Sequence, residues 1–125
     1  MTETPFVKYT DMSYYDGAIK NPDYYIREKG IVCTVEEMSP DEYLDRCYRM
    51  HLKRMKEPIS KEYYLEAVIH KPLAEEYAKM MEKGAKFPMP VLDYKILEQE
   101  GRHRAYASKL LGIKKIPVLV CRSVD

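Results

Sequence analysis

Between Val91 and Val120 the chain sets apolar runs and glycines in an order that few folds accommodate. Val91-Leu92-Asp93-Tyr94 reads as a strand, with Ile96 and Leu97 as its continuation or a returning partner. Gly101 then leads into a helix from about Arg102 to Leu111, which Gly112 ends. Ile116-Pro117-Val118-Leu119-Val120 is a further short strand, with Pro117 among the first residues, where a missing N–H is tolerated. The helix is expected to pack on a sheet through Ala107, Leu110 and Leu111.

The upstream residues supply the rest of that sheet and its helices. Ile31 to Val35 are mostly β-branched and follow Gly30, which predicts a strand near 31–36. Ser39-Pro40-Asp41-Glu42 marks a helix start: Ser39 caps, Pro40 suits the first helical position and Glu42 completes a capping box. Leu44, Cys47, Tyr48, His51, Leu52 and Met55 follow as one helical stripe, and Pro58 is expected to stop it. Ser60 opens a second helical turn towards Val68. A further helix starts near Pro72, buries Leu73, Tyr77, Met80 and Met81, and ends at Gly84. Pro88 and Pro90 keep the following chain extended. The order β, α, α, β, β, α, β predicts an α/β or α+β domain: a small mixed sheet flanked by helices.

A length of 125 residues suits one domain spanning 1–125. Residues 1–29 read as a polar, irregular extension with a short helix after Asn21-Pro22. It holds Tyr9, Tyr14, Tyr15, Tyr24 and Tyr25, expected as half-buried rings across the domain surface, with a stacking surface for bases or a partner as the second reading. Basic and acidic residues number 21 and 20, so no global field draws the chain to nucleic acid, and any phosphate chemistry must be local. Cys33, Cys47 and Cys121 are odd in number and lack C-x-x-C spacing, which argues against a disulfide framework or zinc site. Neither a signal-like start nor an apolar run of spanning length occurs, so the expected setting is the reducing cytoplasm, away from membrane.

One segment carries candidate chemistry. Gly101 opens a helix whose first turn holds Arg102, His103 and Arg104. Cations at the positive end of a helix dipole are in conflict with it, and an anion would relieve that conflict. The first N–H groups of a helix point outward and favour phosphate. Gly101 would let an oxyanion approach the backbone, Arg would fork onto phosphate oxygens, and His103 would donate a further bond. Glu100 would bind a divalent metal or accept a proton. The bland alternative is a solvated surface on which Glu98 and Glu100 pair with the cations.

Residues 70–121 resemble the ParB/sulfiredoxin superfamily. The match runs through His70-Lys71-Pro72-Leu73, the helix ending Glu82-Lys83-Gly84, and the strand Pro90-Val91-Leu92. It continues in Glu100-Gly101-Arg102-His103-Arg104-Ala105-Tyr106-Ala107, Leu110-Leu111-Gly112-Ile113 and Ile116-Pro117-Val118-Leu119. Val35 to Leu44 further resembles a smaller ParB-like subgroup. The resemblance implies a ParB/sulfiredoxin-like fold in which Gly101, Arg102, His103 and Arg104 hold nucleotide phosphates. In ParB partition proteins the equivalent loop is G-E-R-R and binds cytidine triphosphate with magnesium. Here Arg102 replaces that Glu and His103 the first Arg, so the base is left open. Sulfiredoxins carry a reactive Cys where Arg102 stands, which excludes sulfinic acid reduction. The superfamily's free serine kinases have an Asp before the glycine, and Glu100 is a longer carboxylate in that place. No helix-turn-helix follows, so a partition protein that reads a DNA site is not expected.

The leading expectation is a nucleotide- or phosphate-binding protein that hydrolyses a nucleoside triphosphate or transfers its phosphoryl group with Mg²⁺. Glu100 would be metal ligand or base, and His103 would join it in catalysis. The alternatives are a ParB-like nuclease acting on DNA and a non-enzymatic regulator or inhibitor. Of the remaining candidates, His51 reads as a satisfied histidine on an apolar stripe, and nothing local forces His70, near the start of the next helix, to face the site. Lys83 and Lys86 flank Gly84 where the resemblance places the pocket and read as solvated lysines, with added positive potential as the lesser reading. The run Arg46, Arg49, Lys53, Arg54 and Lys56 reads as a solvated basic face, with a nucleic-acid contact as the lesser reading.

Overall fold

In a computed structural model of the chain, residues 4–7 and 30–124 are described. The tyrosines of the extension and the helix expected after Pro22 lie outside them. The described residues form an α/β fold of four helices and a four-stranded mixed sheet. In chain order these are β1 (Ile31–Met38), α1 (Pro40–Met55), α2 (Lys61–Val68), α3 (Lys71–Glu82), β2 (Val91–Asp93), β3 (Glu98–Glu100), α4 (Arg102–Leu110) and β4 (Ile116–Ser123). No helix among the described residues is long and apolar enough to cross a membrane.

The sheet order is β1-β4-β2-β3. β4 runs antiparallel to β1 and parallel to β2, and β3 returns antiparallel to β2. Central strands are buried on both faces and so read as continuous apolar runs. Val91, Leu92, Val118, Leu119, Val120 and Cys121 are accordingly all buried. α4 lies in the crossover between the parallel strands β2 and β4 and packs against α1 and α3.

Several expectations are corrected. The strand expected over 91–97 breaks after Asp93, because the buried Asp93 carboxylate accepts the N–H groups of Lys95 (3.0 Å) and Ile96 (3.4 Å). A side chain that bonds its own backbone two and three residues on makes a turn, and the returning strand is Glu98–Glu100, not Ile96 and Leu97. α1 has its Ser39 cap, with Glu42 N–H donating to Oγ at 3.0 Å. The carboxylate of Glu42, however, takes Arg46 (2.6 Å) rather than closing a capping box. The helix ends before Pro58, at Lys56, whose left-handed backbone (φ 58°) directs its N–H to Leu52 O.

Its buried face is Tyr43, Leu44, Cys47 and Met50, a stripe rotated from the expected one, and Met55 is exposed. α3 likewise buries Ala74, Ala78 and Met81 and exposes Met80. α4 packs through Ala105, Ala107 and Ser108, while Leu110 is exposed and Leu111 half-buried. Small residues on these faces permit the close helix approach that the α1–α4 and α3–α4 contacts require.

Candidate functional site

The hairpin β2–β3 delivers the chain to Gly101 at the mouth of α4. Its position is fixed from below by Tyr43 of α1, a fully buried residue whose hydroxyl lies 3.0 Å from Glu100 O, 3.3 Å from Val91 O and 3.3 Å from Gln99 Oε1. One hydroxyl proton serves these acceptors, and the closest is the carbonyl that precedes Gly101. Burial holds the Tyr43 phenol well above its ordinary pKa of 10, so it remains a donor.

Gly101 is required here by the fold itself. Its φ is 115°, in the region L side chains rarely adopt, and a Cβ would sit 2.8 Å from Pro90 Cα and 2.8 Å from Arg104 Nη2. The glycine thus answers to packing against Pro90, a reason independent of the expected approach of an oxyanion. The α4 ladder begins with Ala105 N–H donating to Gly101 O at 3.0 Å, so the N–H groups of Arg102 and His103 lie ahead of the first helical bond.

Each of the three basic side chains has a partner within the protein. Arg104 forks onto Glu100, Nη1 to Oε1 at 3.0 Å and Nη2 to Oε2 at 2.6 Å. Arg102 Nε donates to Val68 O at 3.0 Å, placing a cation at the C-terminal, negative end of α2. His103 Nε2 accepts the His70 backbone N–H at 2.9 Å. An accepting Nε2 means a neutral ring with its proton on Nδ1. Burial foremost, then the charges of Arg102, His70 and Arg104, lowers the His103 pKa from its ordinary 6.5 and keeps the ring neutral. The dipole conflict visible in the sequence is therefore relieved largely by the fold: one charge is ion-paired, one sits at another helix end, and one is not a charge.

Two clefts open at this junction among the described residues. One, of about 220 Å³, is lined by Tyr77 of α3 together with Gln99, Glu100, Gly101, Arg102, His103 and Arg104. The other, of about 180 Å³, is lined by Cys47, His51, Tyr64, Leu97, Gln99 and Arg102 among others. Gln99 and Arg102 belong to both. All the expected site residues thus meet in one cleft. His51 is half-buried, packs tilted against Tyr64 (centroids 4.9 Å apart, planes at 43°) and lines the second cleft, so it is nearer to the site than its helical stripe suggested.

Lys86 lies instead against the N-terminal segment, donating to Thr4 O at 2.6 Å. Tyr43, Gln99 and Tyr64 were not anticipated. Tyr43 had a signal, since it precedes Cys47 by four residues and Met50 by seven on one helical face.

Chemically, the main cleft offers donors: helix N–H groups, the Arg102 guanidinium and His103 Nδ1–H. Its single carboxylate, Glu100, has both oxygens on Arg104. Compared with protein-family models, curated proteins and solved structures, the chain gives no match.

Proposed function

We propose that the chain is a phosphate-binding protein, with a nucleotide as its full ligand, that seats a phosphate group in the cleft at Gly101 to Arg104. The observation that supports it is the convergence on one cleft of a helix N-terminus, Arg102, Arg104 and a neutral His103 with Nδ1–H as donor. The second cleft, across Arg102, has the half-buried ring of His51, backed by the buried Tyr64, beside which the rest of a nucleotide would lie. A ParB/sulfiredoxin-type fold is part of this reading. It is supported by the path from strand through hairpin, glycine, basic helix and glycine to a parallel strand.

Hydrolysis or phosphoryl transfer on a nucleoside triphosphate is the enzymatic form of the proposal. It requires an exchange: the incoming phosphate takes the Arg104 fork, and Glu100, released from it, is left beside the phosphate as a base. His103 contributes as a donor to the oxyanion, because its Nε2 is held by His70. The donor set does not make a cage for Mg²⁺. Glu100 is the single carboxylate of the cleft, and no group of three or more His, Cys, Asp or Glu among the described residues is placed to hold a metal.

A second reading, a non-enzymatic regulator in which the cleft serves as a ligand switch, is favoured by the engagement of both expected catalytic groups, Glu100 by Arg104 and His103 by His70. A nuclease would need a basic surface continuous with the cleft. Arg46, Arg49 and Arg54 of the α1 run are instead ion-paired with Glu42, Asp45 and Glu98.

The test is thermal unfolding against inorganic phosphate and nucleoside triphosphates, each with and without Mg²⁺. A specific ligand stabilises the folded state by about 2.7 kcal/mol at a hundred times its Kd. Stabilisation by triphosphates beyond that by phosphate supports the nucleotide reading, and release of phosphate then separates the enzyme from the regulator. Indifference to every anion removes the proposal.

A further inference from the structure

Cys33 and Cys121 stand 88 positions apart in sequence and face each other directly across the antiparallel pair β1–β4. Their sulfurs are 2.7 Å apart, and both are thiols. Directly opposed residues of an antiparallel pair have Cα atoms about 4.5–5.5 Å apart. A disulfide spans Cα separations of about 4.4–6.8 Å. The register therefore meets the Cα separation that a disulfide needs, and the facing sulfurs show that the two side chains point towards each other.

We propose that Cys33 and Cys121 form a reversible oxidation site, a cross-strand dithiol that closes to a disulfide under hydrogen peroxide and reopens with a small dithiol. This stands apart from the phosphate reading.

The two sulfurs differ as an attacking and a resolving thiol should. Cys33 is half-buried, so an oxidant reaches it first, whereas Cys121 is fully buried behind it. The hydrogen bond from Cys121 lowers the Cys33 pKa, against the opposing effects of burial and Asp93, and so favours the Cys33 thiolate. The third cysteine is a built-in control. Cys47 is buried on α1, and its thiol is pushed up to about 12 by desolvation.

The chemistry balances. The Cys33 thiolate attacks one peroxide oxygen, the O–O bond breaks, and a sulfenic acid forms while hydroxide leaves and takes the former Cys33 proton as water. The Cys121 sulfur then attacks the Cys33 sulfur. The S–S bond forms, the S–O bond breaks, and the departing hydroxide takes the Cys121 proton as a second water. Two electrons pass from the sulfur pair to one peroxide. A dithiol reverses the bond by two exchange steps and is itself oxidised.

The site ties an edge strand to the centre of the sheet. Cys121 O also accepts Tyr94 N–H at 2.7 Å, so the staple sits at the root of the β2–β3 turn. It closes a long loop, the case in which a crosslink restricts the unfolded chain most.

The experiment takes the reduced full chain, treats it with stoichiometric hydrogen peroxide, blocks residual thiols by alkylation, and maps peptides without reduction. The expected product is an intrachain Cys33–Cys121 link with Cys47 left as a thiol. Its melting temperature should lie above that of the reduced chain by at least about 5 °C, and dithiothreitol should reverse the shift. Cys33→Ser should give neither link nor shift. A link involving Cys47, an interchain product, or Cys33 carried on to sulfinic acid with Cys121 still a thiol would each overturn the proposal. If Cys33→Ser fails to fold, the peptide map of the natural chain decides alone.

Discussion

Arg104 and Glu100 grip each other with two hydrogen bonds across Gly101, one residue on the first turn of α4 and the other at the end of β3. The guanidinium is mostly buried and the carboxylate is half exposed, at 12% and 52% of their side-chain surfaces. Glu100 is therefore the built-in competitor of any phosphate at this cleft. Glu100→Gln removes that competition and should raise phosphate or nucleotide affinity, whereas Arg104→Ala should lower it roughly ten- to a hundredfold. Both variants should also lose some stability, since each breaks the fork. Titration calorimetry of the two variants checks this. Equal affinity in both, alongside a lower Tm, would identify the pair as purely structural.

His103 gives a prediction in pH. Its folded pKa lies below the ordinary 6.5, so the unfolded chain binds the proton more readily than the folded one. The stability it contributes is fully present above that ordinary value and is lost as pH falls through the folded pKa. Protonation also ends the ability of Nε2 to accept from His70. His103→Gln keeps an acceptor but does not titrate. The difference in unfolding free energy between natural chain and variant, followed from about pH 7.5 to about pH 5, should shrink or reverse against the natural chain as acid is added. A difference independent of pH contradicts the assignment of the neutral ring.

Gly101→Ala places a methyl group 2.8 Å from Pro90 Cα at a φ of 115°. Arg104 Nη2, also 2.8 Å away, is the end of a side chain and can shift, but Pro90 Cα is backbone and cannot give way cheaply. The cost should be about 2–4 kcal/mol, from the left-handed conformation and the overlap together. Urea unfolding should show a lower midpoint at unchanged slope. A loss under about 0.5 kcal/mol would mean that the junction yields readily.

Lys56→Gly should have the opposite sign. Lys56 ends α1 with a φ of 58° and is exposed, so a glycine relieves a left-handed side-chain conformation and leaves no void. The expected gain is about 0.5–1 kcal/mol, net of the greater freedom of glycine in the unfolded chain. Thermal or urea unfolding reads it directly.

Local chemistry was legible in the sequence, and distant partnership was not. Ser39, Pro40 and Gly112 placed helix ends well, because caps act over three or four residues. The run Ile31–Val35 located β1 but not its extension to Met38, where pairing with Ile116 of β4 decides the length. Tyr94 to Leu97 looked like more strand, because the turn that ends β2 depends on the buried Asp93 carboxylate bonding the backbone two and three residues on. At the site, Gly101, Arg102, His103 and Arg104 were found from the unusual charge at a helix start. Their partners Val68 and His70, more than thirty positions away, emit no local signal. The Cys33–Cys121 contact is hidden for the same reason: only the β1–β4 register brings the two together.

The strand order β1-β4-β2-β3 leaves β1 and β3 as the rims of the sheet. An uncovered rim invites a neighbouring molecule to add its own strand, the first step towards aggregates. β3 is three residues long and carries Glu98 and Glu100, both exposed. β1 is longer, but Glu36 and Glu37 interrupt its apolar character close to its end. Glu98 is paired with Arg54, Glu100 with Arg104 and Glu36 with Arg122, so a second copy adding its strand at either rim would meet charged pairs that it must break or leave in place. The pair of glutamates around Gln99 therefore answers to colloidal behaviour as well as to the cleft, and neutralising them would make the protein more prone to self-association.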